Sequence, residues 1–353
     1  MGYRRILAGT DGSTTAAVAV SVAARLASRT GADLHLVMGW QPPDIDADRA
    51  EAILAEAQAA VADDKLTVTG EHHIGDGADV ILDVAKRRDA DLVVMGNKGM
   101  GKARRIGLGA VPDKVAHQAG CDVLIVRTTH QSQPVDRAEG MYTHMVIGTD
   151  GSPTAGEATS KAFELAMMVR AEVSLVYVGD PIVGAITLEE SAKSRIGRTK
   201  VNPVVVPKGE PAKVLTKVAR DAGADLIVVG NKGMTGARRV LLTSVPNVVS
   251  HTAPADVLIV RTVGRSVEDL RPGSGGVVLA AGRPVAAFLD ERGMLHASSP
   301  RCTHMGCTVD WNEAERTWDC PCHGGRYTCD GRRFYGPPAS DLEPIREQNG
   351  SSG

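Results

Sequence analysis

The chain has 353 residues, 43% of them apolar and 23% charged, and its 40 Lys and Arg nearly balance its 42 Asp and Glu. At about 100–200 residues per domain, this length predicts two or three compact domains. The low net charge and high apolar content exclude a disordered chain, and there is no basic excess of the kind that draws nucleic acid or an anionic membrane. Aromatics make up only 3%, and Ala, Val, Leu and Gly dominate, a composition suited to alternating helices and buried parallel strands. The start, Met1-Gly2-Tyr3-Arg4-Arg5, runs straight into Ile6-Leu7-Ala8 with no signal-peptide pattern. Apolar runs such as Val123-Leu124-Ile125-Val126 are strand-sized, far below the ~20 residues that span a bilayer. The expected location is cytoplasmic, with neither nucleic acid nor membrane as partner.

Three motifs occur twice. Gly9-Thr10-Asp11-Gly12-Ser13 returns as Gly148-Thr149-Asp150-Gly151-Ser152, and Gly96-Asn97-Lys98-Gly99-Met100 as Gly230-Asn231-Lys232-Gly233-Met234. Asp122-Val123-Leu124-Ile125-Val126-Arg127 returns as Asp256-Val257-Leu258-Ile259-Val260-Arg261. The offsets, 139 residues for the first and 134 for the others, mark a duplicated domain rather than a solenoid. In copy one the pattern predicts strands near 4–10, 33–39, 65–70, 91–96 and 122–127, with helices near 14–29, 44–62, 76–88 and 110–119. Copy two repeats the strands near 143–149, 172–178, 202–206, 225–230 and 256–261, with a shorter second helix around 185–194. Five strands separated by helices predict an α/β fold with a doubly wound parallel sheet in each copy, and such sheets bind ligands beyond the C-terminal ends of their strands.

The Gly-rich loop after the fourth strand is the feature to interpret. As a P-loop it lacks the hydroxyl for Mg²⁺, because Ala103 stands there. As a dinucleotide fingerprint it has Arg104 in place of the third Gly. Gly96-x2-Gly99-x9-Gly109-Ala110 instead resembles the G-2x-G-9x-G-[ST] nucleotide loop of the universal stress protein (Usp) family, as do the paired Thr-Asp-Gly-Ser turns and the terminal Asp-Val-Leu-Ile-Val-Arg strands. The resemblance covers almost all of 1–130 and 141–262 and implies adenine nucleotide α-hydrolase-like domains that bind ATP or another adenine nucleotide. It implies that Thr10 and Asp11 face the adenosine, with Val37 near the base, and that Gly96, Gly99, Gly109 and Ala110 cradle ribose and phosphates. In copy two the matching positions are Thr149, Asp150, Val176, Gly230, Gly233, Thr243 and Ser244. Glycines suit this task because backbone N–H groups can turn toward phosphate oxygens without a Cβ in the way. Copy one has Ala110 in place of the family's hydroxyl residue, and copy two has Thr243 in place of the third Gly. The two copies are expected to pair through their last strands as an internal pseudo-dimer, which would cover an otherwise exposed apolar edge; a homodimer is compatible with this.

From Ser266 the pattern changes to short strands, near 276–279, 284–289 and 294–297, split by turn residues. Five of the six cysteines lie between residues 302 and 329, interleaved with His304 and His323, which reads as a metal site rather than a disulfide scaffold. Reduced to ligand types the motif is C-x-H-x15-C-x-x-H, and two Cys with two His could hold zinc. The additional Cys307 and Cys322, Pro321, Gly324-Gly325 and Gly336-Pro337-Pro338 together resemble the Rieske [2Fe-2S] domain over about 266–345. That resemblance implies that Cys302 and Cys320 hold one iron and His304 and His323 the other. It implies a disulfide between Cys307 and Cys322, a sulfur hydrogen bond from Tyr327, and the loss of a second one because Gly325 replaces a serine, hence an intermediate potential. Cys121 reads as a small buried residue, Cys329 lies outside the pattern, and His72-His73 read as surface or packing residues.

The expected organisation is residues 1–130 and 141–263 as two Usp domains and 266–346 as a small all-β Rieske domain. A Rieske oxygenase catalytic subunit is excluded within this chain, since no His follows His323 to build a mononuclear iron site. No flavin or nicotinamide fingerprint and no nucleophile–base set is present, so electrons must be exchanged with a protein redox partner and no hydrolytic activity of note is expected. Two functions remain: a cytosolic stress-response protein joining a tandem nucleotide sensor to a one-electron centre, and an electron-transfer component of an oxidoreductase system that uses the Usp copies as a docking scaffold.

Overall fold

The computed structural model describes residues 2–63, 66–98, 108–127, 129–130, 133–134, 141–151, 153–193, 199–231, 245–261, 267, 270–280, 283–304, 309–320 and 324–345. Copy one runs β1 (Arg5–Gly9), α1 (Thr14–Thr30), β2 (Asp33–Trp40), α2 (Ala47–Ala60), β3 (Val68–Ile74), α3 (Gly77–Arg87), β4 (Leu92–Gly96), α4 (Ala110–Gln118) and β5 (Asp122–Val126). A two-strand hairpin, β6 (Thr129–His130) with β7 (Gln133–Pro134), lies in the connection. Copy two then follows as β8 (His144–Gly148), α5 (Pro153–Val169), β9 (Glu172–Val178), α6 (Pro181–Ala192), β10 (Val201–Val206), α7 (Pro211–Asp221), β11 (Leu226–Gly230), α8 (Val245–Thr252) and β12 (Asp256–Val260).

Local chemistry sets these boundaries. Ser13 caps α1 by accepting the Ala16 N–H at 3.1 Å, and Gly31 ends the helix in the left-handed region at φ 70°. Asp76 caps α3 and Asp180 caps α6, whose first residue is Pro181. Two elements differ from the sequence pattern. The third strand is β3 at Val68–Ile74 rather than 65–70, and α6 starts at Pro181 rather than near 185.

The two copies do not form separate sheets. Their strands make one ten-stranded sheet in the order β10-β9-β8-β11-β12-β5-β4-β1-β2-β3, parallel within each copy. At the centre β12 pairs antiparallel with β5, Leu258 opposite Leu124, and every residue of both strands is buried. This internal pairing covers the edge that each copy would otherwise present. Because the central pair is antiparallel, the C-terminal strand ends of the two copies, the side on which parallel sheets bind ligands, face opposite ends of the sheet.

Buried carboxylates secure the seam in a two-fold pattern. Asp256 (0% exposed) accepts the Arg127 N–H at 2.7 Å and the Tyr142 hydroxyl at 2.8 Å. Asp122 (1%) accepts the Arg261 N–H at 2.8 Å, the Tyr3 hydroxyl at 2.9 Å and the Lys161 ammonium at 3.0 Å. Several charge-assisted bonds per carboxylate offset the cost of removing it from water. Burial first, and then the Asp122 charge, push the Tyr3 phenol well above its ordinary pKa.

Contacts divide the chain at Thr262 and Val263. The second unit is all-β. β13 (Gly275–Ala280), β14 (Arg283–Leu289) and β15 (Leu295–Ser298) form one antiparallel sheet. β16 (Asp310–Asn312), β17 (Thr317–Asp319), β18 (Arg326–Thr328) and β19 (Arg333–Tyr335) form another. Its core gathers Ala286, Phe288, Val309, Trp318, Tyr327 and Leu342 around the thiols of Cys302 and Cys320. Trp311 stacks on Phe288 at 4.9 Å and meets Trp318 edge-on at 4.9 Å. A Cβ at Gly275 would stand 2.5 Å from the Trp311 ring, so glycine is required there.

Candidate functional site

In the second unit, Cys302 lies on the turn after β15 and Cys320 directly follows β17. Both thiols are buried (2% and 3% exposed) and form no disulfide, whereas His304, two residues beyond Cys302, is exposed. The Tyr327 hydroxyl, carried on β18 and fully buried, donates to Cys302 Sγ at 3.1 Å and accepts the Thr303 N–H at 3.0 Å. Burial first, and then the bond to Cys302, raise the Tyr327 phenol above its ordinary pKa, so it stays a donor. The loop after Cys320 is closed by two backbone bonds, Cys320 N–H to Gly325 O at 2.7 Å and Gly324 N–H to Cys320 O at 3.1 Å.

The proline segment packs on this loop. A Cβ at Gly325 would stand 2.5 Å from Pro338 Cγ and 3.6 Å from Cys302 Sγ, so Pro338 fills the space beside the sulfur. Gly336 has φ +87°, and a Cβ there would meet Gly324 O at 2.6 Å. The Thr303 hydroxyl donates to Ser340 O at 2.7 Å and ties the first ligand loop to the end of the proline segment. Two buried thiols with an oriented donor, and an imidazole at the surface two residues from one of them, are the donor types that would hold an iron–sulfur centre. His323 and the Cys307–Cys322 pair lie outside the described residues. Cys329 is half-buried against the same core, and its carbonyl accepts the Trp318 indole N–H at 3.2 Å.

In copy one, the turn after β1 is self-braced. The Thr10 N–H donates to Val37 O at 3.0 Å, and Thr10 Oγ1 accepts the Gly12 N–H at 3.3 Å. Asp11 Oδ1 accepts the Ser13 N–H at 3.0 Å and its hydroxyl at 2.5 Å. Val37 is fully buried at 0% exposure, with its side chain in the core and its carbonyl taken by the Thr10 N–H, so its expected place beside the base is not open at its surface. Gly96 ends β4. The buried Asn97 then donates its N–H to Val126 O and accepts the Gly109 N–H, each at 2.9 Å, closing the base of the loop. Gly109 is the N-cap of α4 with no side-chain capping bond, and Ala110 is the exposed first residue. An uncapped helix start at the C-terminal edge of a parallel sheet favours an anion.

Copy two repeats the frame: Thr149 N–H to Val176 O at 3.0 Å, Gly151 N–H to Thr149 Oγ1 at 3.3 Å, and Asn231 N–H to Val260 O at 2.9 Å. Asp150 lies between these bonds in the turn, Val176 is buried like Val37, and Gly230 ends β11. Gly99, Gly233, Thr243 and Ser244 lie outside the described residues. Cys121 packs against the core beside β5, and burial pushes its thiol up to about 12. His72 accepts the Trp40 indole N–H at 3.0 Å, and His73 pairs with Glu71 at 2.6 Å.

Sequence reasoning missed the seam aspartates, although Asp and Arg flank the apolar core of both last strands. It also missed His251, whose imidazole reaches Asp113 of copy one at 3.2 Å. Among the described residues no helix is long and apolar enough to cross a membrane.

The universal stress protein family profile matches residues 2–127 and 141–261, and the Rieske [2Fe-2S] domain profile matches 261–346. A universal stress protein of Mycolicibacterium smegmatis is 30% identical over 292 residues, 72% of this chain and 96% of that protein. The Bacillus subtilis Rieske 2Fe-2S iron-sulfur protein YhfW is 49% identical over 78 residues; the match spans 22% of this chain and only 15% of YhfW. In fold, the crystal structure of a universal stress protein from Archaeoglobus fulgidus is similar with a TM-score of 0.58 at 18% identity, over 73% of this chain and 96% of that one.

Proposed function

We propose that this chain, which belongs to the universal stress protein family and ends in a Rieske [2Fe-2S] domain, is a cytoplasmic stress-response protein that binds an adenine nucleotide and senses or relays single electrons. The observation that carries the redox half is the Tyr327 hydroxyl on the buried Cys302 sulfur, with His304 exposed nearby. Cys302, Cys320, His304 and His323 would hold the cluster, which when bound supplies a one-electron couple. Tyr327 orients a hydrogen bond onto a ligand sulfur, the packed core and Pro338 exclude water from the thiol side, and the histidine side is left to meet a protein redox partner. Cys307 and Cys322 would clamp the two ligand loops as a disulfide. In the Usp copies, the turns at Thr10-Asp11 and Thr149-Asp150 would hold the adenosine, and the loops that begin at Gly96 and Gly230 would hold the phosphates, ATP being the nucleotide proposed.

The test is anaerobic purification followed by titration with ATP and AMP, read by calorimetry and by voltammetry of the cluster. A red-brown protein with about two irons and two sulfides per chain, nucleotide uptake, and a potential that moves with nucleotide are expected. Stoichiometric zinc without sulfide overturns the cluster. Nucleotide uptake that leaves the potential and reduction rate unchanged overturns the sensor in favour of an electron carrier with a Usp scaffold.

A further inference from the structure

The antiparallel seam gives α4 and α8 an unusual reach. α8 starts at the end of copy two's phosphate loop and runs back toward the start of β12, which lies beside the C-terminal end of β5. Its last turn therefore arrives at copy one's loop. There the Leu108 N–H donates to His251 Nδ1 at 3.4 Å, and His251 Nε2 lies 3.2 Å from Asp113 Oδ1. Accepting at Nδ1 places the imidazole proton on Nε2, so Nε2–H donates to the carboxylate. Leu108 immediately precedes Gly109, the N-cap of α4, and Asp113 sits one turn into that helix, its N–H bonded to Gly109 O at 3.0 Å.

The duplicated sequence supplies an internal control. The residue equivalent to His251 is His117, and the residue equivalent to Asp113 is Asn247. His117 Nδ1 bonds back to Asp113 O on its own helix at 2.7 Å, and Asn247 Oδ1 is buried with no hydrogen-bond partner among the described residues. The arginine contacts across the seam, by contrast, keep the two-fold: Arg127 to Ser250 O at 2.6 Å and Arg261 to Ala116 O at 3.1 Å.

We infer that His251 of copy two is a positioning residue for the start of α4 in copy one, fixing Leu108 and drawing the Asp113 carboxylate aside, so that the first site is braced across the internal two-fold. An Asp113 carboxylate turned toward the start of α4 would repel a phosphate there. The neutral imidazole leaves the charge in place but, together with His117 Nδ1 at 3.6 Å, holds it aside, and it orders the backbone that delivers Gly109. This inference rests on nucleotide binding at copy one's loop, and its test separates the two.

The first readout needs no nucleotide. Amide hydrogen exchange at Leu108 in the full-length, cluster-loaded protein should speed up in His251→Ala and stay as in wild type in His117→Ala. Equal effects of the two variants, or none in His251→Ala, overturn the latch. The second readout is ATP affinity in the Asp150→Ala background, which leaves copy one as the binding site. His251→Ala should weaken it about three- to tenfold, the effect of one lost hydrogen bond. His251→Gln, which keeps a neutral donor and acceptor, should recover most of the loss, and Asp113→Asn added to His251→Ala should recover part of it. If His251→Ala does not fold, His251→Leu and Asp113→Ala carry the same exchange measurement. Altered exchange with no ATP uptake in any variant leaves the latch standing and overturns the nucleotide reading instead.

Discussion

Tyr327→Phe removes one hydroxyl and leaves the ring in place. That hydroxyl donates to Cys302 Sγ at 3.1 Å and accepts the Thr303 N–H at 3.0 Å, in a fully buried setting. A hydrogen bond to a ligand sulfur stabilises the reduced cluster more than the oxidised one, because reduction adds negative charge. Hydrogen bonds to charged groups contribute about 1.5–3 kcal/mol, of which the part that differs between two oxidation states is set at about 1–1.5 kcal/mol. Tenfold in a one-electron equilibrium is about 59 mV and about 1.4 kcal/mol. The variant's potential should therefore fall by about 40–65 mV. Protein-film voltammetry reads the shift, and visible absorption confirms equal cluster content. An unchanged or higher potential at full content would refute the assignment of this bond to a cluster ligand.

Asp256→Asn should destabilise the first unit by about 2–4 kcal/mol in urea unfolding, because the Arg127 N–H and the Tyr142 hydroxyl lose a charged, buried acceptor; a loss confined to surface-substitution size would show the seam to be incidental. Burial alone would raise the Glu71 carboxyl, but bonds from Arg88, His73 and Arg87 overcome it and hold the group at about 2. A folded value below the ordinary 4.5 means its contribution is complete above that value and is lost as pH falls through it toward 2. With both arginines half exposed, screening limits Glu71→Gln to about 1–2 kcal/mol near neutrality, and the gap from wild type should close at about pH 2, a pattern that urea curves at both pH values would check. Cys121, with its thiol up at about 12, should resist iodoacetamide in the folded protein and react on unfolding; mass spectrometry showing rapid labelling of the native state would contradict its burial.

The duplication, the order of strands and helices, and the presence of a Rieske-type Cys/His motif were legible in the residues alone, because periodicity reports which face is buried and short spacings gather the Cys and His on one or two loops. The edge strand β3 was misplaced because its chemistry is polar. Thr69 and Glu71 bond the buried His35 at 2.7 and 2.9 Å, so a strand stabilised by side-chain pairing lacks the alternation that marks an apolar one. The start of α6 carried a readable Asp180-Pro181 cap, yet the apolar run after it masked the helical period. The remainder was decided only when the chain closed on itself. Asp122 meets Arg261, Asp113 meets His251, Pro338 covers Gly325, and Thr303 ties to Ser340. Each pair is distant along the chain, and its energy depends on both groups leaving water together. A local pattern records that a residue prefers burial or charge; which partner satisfies it is set by the antiparallel pairing of β5 with β12 and by the packing of the ligand loops under the proline segment.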